Sequence, residues 1–517
     1  MARESAIPVI DLFAGPGGLG EGFASTLSRS GTPVYRIALS IEKDPHAYRT
    51  LLLRSFFRQF ADAAPQDYYD YLMHRIDSVD ALFDRHPTAA EAARSEAWQG
   101  TLGKAAPQTI NRRIDEALAR SRPTPWILVG GPPCQAYSVA GRSRMNGSAS
   151  FADDERHTLY REYLRIIRRH QPSVFVMENV KGLLSSKHRD RLILDQILRD
   201  LSRPTRSLKY QLVALDYDDT GLFEAPEFEP ENFLVHAERF GVPQNRHRII
   251  IVGVNSSFRS TMQTSSLRLT RHDALTTCRD VINGLPKVRS SLSRGLELEG
   301  AWQRHMRSAV RAQWVRDVEQ LHSVDLAKRI RQNARETDGT LGIGGRFIEA
   351  DPSLPRHSEW FNDPRLPGVC NHETRGHIPA DLHRYLFVST YGECKQVSPR
   401  LRHFPDALLP AHSNVAEARG NGMFNDRFRV QLWDQPATTV TAHIAKDGHY
   451  FIHPDPTQAR SLTVREAARL QSFPDNYFFE GPRTEQYRQI GNAVPPLLAR
   501  QIAAVVASFI DPSLSTH

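Results

Sequence analysis

Residues 7–20 read Ile-Pro-Val-Ile-Asp-Leu-Phe-Ala-Gly-Pro-Gly-Gly-Leu-Gly, and this stretch decides the fold. Its apolar first half, Ile7 to Phe13, predicts a buried strand, and the residues from Glu21 onward are compatible with a helix. Between them the glycines fit the pattern Gly-x-Gly-x-x-Gly, which lets a chain turn sharply and lets a ligand lie against bare backbone. The stretch therefore predicts the start of an α/β fold, with a binding site at the carboxyl end of its first strand.

A second apolar stretch, Tyr35 to Ile41, ends in Glu42. Glu42 follows the glycines at the spacing expected of an acid that hydrogen-bonds the hydroxyls of a ribose. The two features together favour a nucleoside-bearing cofactor, and on these residues alone NAD stays open. The structural alternative for Glu42 is a solvated acid at the end of a strand.

Residues 130–138 read Gly-Gly-Pro-Pro-Cys-Gln-Ala-Tyr-Ser, directly after the short apolar run Trp126 to Val129. The run predicts a buried parallel strand, so Cys134 falls in the loop at its carboxyl end, where open α/β sheets place their chemistry. A thiol displayed there is a candidate nucleophile. The alternative is a rigid turn with a buried, inert thiol.

Charged residues also accompany two further apolar strands. Glu178 stands near the end of Val174 to Val180, and a carboxylate in that position is costly without a partner, which indicates a working acid or a helix cap. Arg246 and Arg248 precede the run from Ile249, and alternation on a strand puts both on one face. Their planar guanidinium groups suit a carboxylate, a phosphate or a base edge.

With these residues in view, the chain resembles the DNA cytosine-5 methyltransferase family. Segments similar to that family's motifs occur in the family's order along most of the chain, at Asp11–Gly18, Pro132–Gln135, Asp154–Tyr160, Glu178–Val180, Gln244–Arg248, Arg460–Asp475 and Gly491–Pro495. The resemblance implies an α/β fold, with a Rossmann-like S-adenosylmethionine-dependent methyltransferase sheet that has helices on both faces. It also implies a smaller target-recognition domain.

The resemblance further implies transfer of a methyl group from S-adenosylmethionine to C5 of a cytosine flipped out of double-stranded DNA, with no metal. Cys134 would form a covalent adduct, while Glu178 and Arg248 would hold the cytosine and Arg246 would support the loop. The residues expected to bind the cofactor are Phe13, Ala14, Gly15, Gly17, Gly18, Glu42, Pro132, Leu159, Asn492 and Val494. Those expected to contact DNA are Gln135, Ser138, Arg142 and Arg144.

One departure from the family pattern concerns the cofactor's adenine. The family usually carries an Asp after its third strand that meets the adenine amino group, and this chain has no clean equivalent. Between residues 54 and 125 it carries a long, largely helical insertion instead. Asp115 or a residue near Leu102 could make that contact, and the sequence does not choose between them.

Domain boundaries follow from where the motifs stop. We expect a catalytic domain over residues 1–254, a target-recognition domain over 255–457, and a closing segment over 458–517 that completes the catalytic domain. The formal net charge of +8 suits a polyanionic partner such as DNA. The four cysteines are too few and too scattered for a disulfide framework, which favours the bacterial cytoplasm, and we expect no membrane segment.

The sequence leaves several functions to be distinguished. An NAD-dependent dehydrogenase would account for the glycines and Glu42 but not for Cys134, Glu178 and Arg248. An RNA cytosine-5 methyltransferase would use the same catalytic set, and a catalytically silent DNA-binding regulator is the alternative from a different class. A companion restriction endonuclease or another defence protein is an expected functional partner.

Overall fold

The computed structural model describes residues 6–60, 63–119, 125–133, 155–188, 191–216, 222–223, 229–258, 268–293, 298–350, 359–411 and 425–511. The chain forms two compact units. The first contains Met1–Pro65, Asp80–Ala274 and Ala493–His517, and the second contains Gln66–Val79 and Leu275–Asn492. The expected closing segment is thus divided, since residues 458–492 belong to the second unit and the remainder to the first.

The strands of the first unit build one large sheet and smaller pairings. They are β1 Ile7–Leu12, β2 Tyr35–Glu42, β3 Ala97–Gln99, β4 Ile127–Gly130, β5 Val174–Val180, β6 Lys187–His188, β7 Arg191–Leu192, β8 Tyr210–Val213, β9 Leu222–Phe223, β10 Leu234–His236, β11 Gln244–Asn245 and β12 His247–Asn255. The sheet order is β3-β2-β1-β4-β5-β12-β8-β9, with β10 paired to β12. The first five strands are parallel, whereas β12 runs antiparallel to β5.

The α-helices alternate with these strands and continue into the second unit. They are α1 Gly18–Ala24, α2 Pro45–Arg58, α3 Gln66–Leu72, α4 Val79–Arg85, α5 Pro87–Glu96, α6 Pro107–Ala119, α7 Glu155–His170, α8 Ile193–Ser202, α9 Cys278–Ile282, α10 Ala301–Ser308, α11 Gln313–Leu321, α12 Val324–Arg335, α13 Pro379–Lys395, α14 Val464–Leu470, α15 Arg483–Asn492 and α16 Pro496–Ile510. By length and composition the stretch Arg483–Ile510 could cross a membrane, but its apolar window is 67% buried, as in a core helix.

The sheet of the first unit is covered on both faces because its strands are apolar on both sides. On one face Val9 and Val176 pack with α1 and α16, and on the other Ile10 and Met177 pack with α6, α7 and α8. The contact of α1 with α16 requires glycine, since a Cβ placed on Gly22 would lie 2.4 Å from the Ala499 Cβ. The predicted α/β fold with helices on both faces is therefore confirmed.

The expected insertion between residues 54 and 125 also supplies a strand. Alongside its helices it contributes β3, which pairs in parallel with β2 at the edge of the sheet. Its α3 belongs instead to the second unit, where the Tyr68 hydroxyl donates to the Asn476 carbonyl at 2.9 Å and the Tyr69 hydroxyl to Asp363 Oδ2 at 2.6 Å.

The second unit has its own core and short strands. Side chains of α10 to α13, among them Trp302, Trp314, Ile330 and Tyr385, form one buried apolar cluster. The strands are β13 Ser291–Leu292, β14 Gly344–Glu349, β15 Gly368–Glu373, β16 Gly376–His377 and β17 Ala437–Thr438. Strand β14 pairs with β15 and β13 with β16.

Candidate active site

The parallel strands β1, β2, β4 and β5 end at one edge of the sheet. The predicted site residues lie at or just after the carboxyl ends of these strands. The glycine loop comes after β1, Glu42 ends β2, the Pro132 loop follows β4, and Glu178 lies near the end of β5. Ligands of open α/β sheets bind in the crevice outside the carboxyl ends of the strands. The topology therefore gathers these separate stretches of sequence at one edge.

The glycine loop has a backbone that few residues adopt. Gly15 and Gly17 have φ angles of 58° and 100°, and Phe13 has a φ of 57°, which is unusual for an aromatic residue. A Cβ on Gly18 would lie only 2.2 Å from the Val494 carbonyl oxygen. Two residues predicted to bind the cofactor, far apart in sequence, are thus in direct contact.

The Glu42 carboxylate is fixed in place beside this loop. It accepts hydrogen bonds from the backbone N–H groups of Gly15 at 2.8 Å, Lys43 at 2.9 Å and Asp44 at 2.8 Å. Burial raises the pKa of Glu42, although these three hydrogen bonds act in the opposite direction. A carboxylate has about four lone-pair sites, so after three bonds it can still accept from a ligand hydroxyl.

Asp11 is a buried residue near the end of β1 that the sequence analysis did not assign to the site. Its side chain is fully buried, and neither carboxylate oxygen has a well-aligned hydrogen-bond partner among the described residues. Its register partner Ser40 on β2 is equally buried, and its hydroxyl also has no partner there. Burial raises the pKa of Asp11 to about 7, because the Gly20 N–H and the Arg58 guanidinium only partly oppose it. The signal in the sequence is a lone acid inside an apolar strand.

Glu178 and Arg248 form an ion pair on neighbouring strands. Arg248 Nε lies 2.9 Å from Glu178 Oε1, yet this N–H is not aligned for a hydrogen bond. The guanidinium also donates to the His247 carbonyl at 2.8 Å. Burial lowers the pKa of Arg248, and the Glu178 carboxylate partly offsets that shift. The pair keeps donors and acceptors that a planar base could use.

The loop after β4 is held close to Glu178. A Cβ on Gly131 would lie 2.8 Å from Glu178 Oε2, so glycine permits the close approach. Asn179 Nδ2 donates to the Pro132 carbonyl at 3.1 Å, and its Oδ1 accepts from the Val180 N–H at 2.9 Å. Asn179 is thus a site residue beyond those predicted, and its signal in the sequence is an amide directly after an acid near the end of a strand. Cys134 lies outside the described residues, as do Gln135, Ser138, Arg142 and Arg144.

Comparison with known proteins now decides the family. A family model for C-5 cytosine-specific DNA methylases matches residues 99–508. The type II methyltransferase M.Bpa9945I of Bacillus paralicheniformis is 32% identical over 521 residues, covering 97% of this chain and 99% of its own. The chain belongs to the C-5 cytosine-specific DNA methylase family. It is a DNA (cytosine-5-)-methyltransferase, and this assignment replaces the dehydrogenase that the glycine loop and Glu42 left open.

One further relative and one solved structure are similar to this methylase, the second of them in fold. The DNA (cytosine-5-)-methyltransferase M.ApeKI of Aeropyrum pernix is 26% identical over 400 residues, covering 74% of this chain and 80% of its own. A crystal structure of a prophage-encoded DNA modification methyltransferase from E. coli is similar in fold, with a TM-score of 0.52 and 18% identity over 98% of this chain and 100% of its own.

Arg246 of the methylase connects two parts of the first unit. It is almost completely buried, and its Nη2 donates to the Ala493 carbonyl at 2.8 Å. Burial holds the pKa of Arg246 well below its usual value. Arg246 therefore fixes the segment that carries Val494 against the glycine loop, whereas Asn492 belongs to the second unit.

The closing motif of the methylase forms a buried charge network in the second unit, which we call the arginine network. Arg460 donates twice to Glu466, at 2.7 Å each, and Arg469 donates to both oxygens of Asp475, at 2.9 and 2.7 Å. Arg465 donates to the carbonyls of Cys370, Pro474 and Tyr477. These residues are fully buried.

Two buried side chains of the second unit, His372 and Cys370, make contacts within that unit. His372 Nδ1 lies 2.9 Å from the Thr463 hydroxyl and its Nε2 lies 2.8 Å from the Pro286 carbonyl. Burial raises the pKa of the neighbouring Cys370 thiol to about 12. Within the described parts of the chain, no group of three or more His, Cys, Asp and Glu side chains is arranged to hold a metal ion.

Proposed function

We propose that this methylase is the modification enzyme of a type II restriction–modification system and that it methylates a flipped-out cytosine through a covalent bond to Cys134. The observation that carries the mechanism is the Glu178–Arg248 pair beside Gly131 and Pro132, which lead directly into Cys134. The type II relatives support the biological role.

The glycine loop and Glu42 fit S-adenosylmethionine. Glu42 keeps acceptor capacity for ribose hydroxyls, and the loop presents backbone without side chains at Gly15 and Gly17. Phe13 and Val494 flank the loop, and Ala14, Gly18 and Pro132 complete the surface. When bound, S-adenosylmethionine supplies an electrophilic methyl group and leaves as the neutral thioether.

Cys134 makes cytosine reactive toward that methyl group. The thiolate forms a bond to C6, and the electron pair of the C5–C6 double bond becomes available at C5 for methyl transfer. Glu178 hydrogen-bonds N3 and the exocyclic amine, which neutralises charge moved into the ring. A bound water then accepts the C5 proton, the C6–sulfur bond breaks, and the thiolate is restored.

The arginines have separate roles in this mechanism. Arg248 donates to the O2 edge of the base and favours the thiolate through its positive charge. Arg246 contacts no substrate atom and acts by holding Ala493 and the adjoining cofactor segment. A charge held so close to the reacting base acts more strongly there than it would in water.

The target cytosine must be flipped out of the DNA duplex, because attack on C6 and methyl transfer to C5 need access to both faces of the ring. Gln135 and Ser138 would contact the target strand, and Arg142 and Arg144 would bind phosphates in the loop after Cys134. The second unit supplies target recognition. The protein works in the cytoplasm, where the companion endonuclease would otherwise cut the same sequence.

The test is transfer of labelled methyl from S-adenosylmethionine to mixed DNA, followed by base-resolved mapping of 5-methylcytosine. The wild type should label cytosines in one recurring sequence, and that DNA should resist the companion endonuclease. Cys134→Ser should abolish labelling, whereas Cys394→Ser, at an exposed cysteine of the second unit, should retain it. Undiminished labelling by Cys134→Ser would contradict the covalent mechanism.

A further inference from the structure

We propose that the Thr101 hydroxyl of this methylase accepts a hydrogen bond from the exocyclic amino group of the cofactor's adenine. The proposal rests on the use of S-adenosylmethionine put forward above. It means that this chain recognises the nucleobase with a neutral acceptor where its relatives are expected to use a carboxylate.

The first argument is the placement of Thr101 relative to Glu42. Strand β3 runs parallel to β2 with Glu42 opposite Gln99, and the Gly100 N–H donates to the Glu42 carbonyl at 3.0 Å. The chain leaves the sheet after Gly100, so Thr101 is the first side chain beyond this strand end. Neighbouring strands lie about 4.8 Å apart, which puts Thr101 one strand outward from the expected ribose.

The order of the strands fixes the direction in which the cofactor must extend. The methyl group has to face the loop after β4, and the ribose sits at the end of β2. Because the order is β3-β2-β1-β4, a base attached on the far side of the ribose extends toward β3. The carboxyl end of β3 is therefore where the adenine amino group needs a partner.

The candidates from the sequence can now be separated. Asp115 Oδ1 lies 3.6 Å from Nδ1 of His170, and His170 ends α7 just before β5 begins, so Asp115 lies at the opposite edge of the sheet. Leu102 is buried in the apolar core. Thr101 remains as a half-buried hydroxyl for which the described residues supply no hydrogen-bond partner.

The turn that carries Thr101 is fixed and adjoins another predicted cofactor residue. The Thr101 carbonyl accepts from the N–H groups of Lys104 at 3.1 Å and Ala105 at 2.8 Å. Gly103 has a φ of 84°, and a Cβ there would lie 3.1 Å from Leu159 Cδ2. The turn and Leu159 thus form one wall beside the end of β3.

The test is isothermal titration calorimetry with S-adenosylhomocysteine and with its analogue that lacks the adenine amino group. One neutral hydrogen bond contributes about 0.5–1.5 kcal/mol, so the wild type should bind S-adenosylhomocysteine roughly 2- to 13-fold more tightly than the analogue. Thr101→Val should bind both ligands equally. Thr101→Ser and the matched control Thr109→Val, on α6, should keep the preference.

Thr101→Asp gives the opposite test, since a charged acceptor makes a stronger hydrogen bond than a hydroxyl. Its preference for the amino-bearing ligand should exceed that of the wild type. Retention of the full preference in Thr101→Val would overturn the assignment of Thr101 while leaving the proposed function intact. A folded wild type that binds neither ligand would overturn both.

Discussion

Buried charges are treated differently in the two units of this methylase. In the arginine network of the second unit, every guanidinium meets carboxylate or carbonyl oxygens, as Arg460 does with Glu466. At the carboxyl edge of the first unit, Asp11 has no well-aligned hydrogen-bond partner among the residues that the structure describes, and Glu178 meets Arg248 only in an imperfectly aligned ion pair. Unmade hydrogen bonds are costly, so they persist where a ligand completes them. We infer that the charges of the arginine network stabilise the fold, whereas those at the carboxyl edge of the first unit are available to bind ligands.

The largest expected effect comes from breaking the ion pair between Glu178 and Arg248. Glu178→Gln keeps the shape of the side chain but removes the carboxylate that neutralises charge on the cytosine, so kcat should fall by about 10²- to 10⁴-fold. Steady-state methyl transfer measures it. The matched control is Glu238→Gln, because Glu238 is equally exposed and pairs with His247, and it should retain activity. Equal activity of Glu178→Gln and the wild type would remove Glu178 from the mechanism.

A substitution in the arginine network should lower the free energy of unfolding. Glu466→Gln leaves the fully buried Arg460 without its charge partner and replaces one acceptor oxygen facing the guanidinium with an NH2 donor, which should lower the free energy of unfolding by about 3–5 kcal/mol. Urea unfolding provides the measurement. Asp434→Asn, which breaks an exposed pair with Arg279, should cost no more than about 1 kcal/mol. Similar losses of unfolding free energy in both variants would show that the arginine network does not stabilise the second unit more than an exposed ion pair does.

Asp11 should make the free energy of unfolding depend on pH. Its pKa is raised from 3.8 to about 7 in the folded protein, so its protonation stabilises the fold. This contribution is complete below pH 3.8 and is lost as the pH rises through 7. Between pH 5 and pH 8 the free energy of unfolding of the wild type should therefore fall by roughly 3 kcal/mol more than that of Asp11→Asn. Parallel pH profiles for the two proteins would show that Asp11 does not titrate in this range.

The smallest effect concerns the position of the Cys134 loop. Asn179→Ala removes the hydrogen bond to the Pro132 carbonyl, which is expected to contribute about 1 kcal/mol and hence a 5- to 10-fold decrease in kcat. Affinity for S-adenosylhomocysteine, measured by calorimetry, should change less than kcat, because the Glu42 carboxylate is held by the N–H groups of Gly15, Lys43 and Asp44. A loss of affinity with kcat preserved would assign Asn179 to the cofactor site instead.

Much of the first unit could be predicted from local sequence. The apolar runs ending near Leu12, Glu42 and Val180 become strands of one sheet because strands buried on both faces need continuous apolar residues. Glu42 was predicted as a ribose acid from its spacing, and the structure holds its carboxylate beside the glycine loop with three N–H groups.

The rest depends on contacts that local sequence does not encode. β3 has three residues, too few for a periodic signal, and it is recognisable only through its pairing with β2. The bond from Arg246 to the Ala493 carbonyl joins residues 247 positions apart. The isolation of Asp11 follows from what surrounds it, which a pattern of apolar residues cannot specify.

The most direct test of the account is covalent trapping on DNA that carries 5-fluorocytosine at the methylated position. After methyl transfer this base has no C5 proton to lose, so the enzyme should stay attached to C6. We predict a stable protein–DNA complex that requires S-adenosylmethionine, with the linked peptide containing Cys134, and no complex for Cys134→Ser. Attachment through another residue, or methylation of ordinary DNA without any trapped complex, would contradict the account.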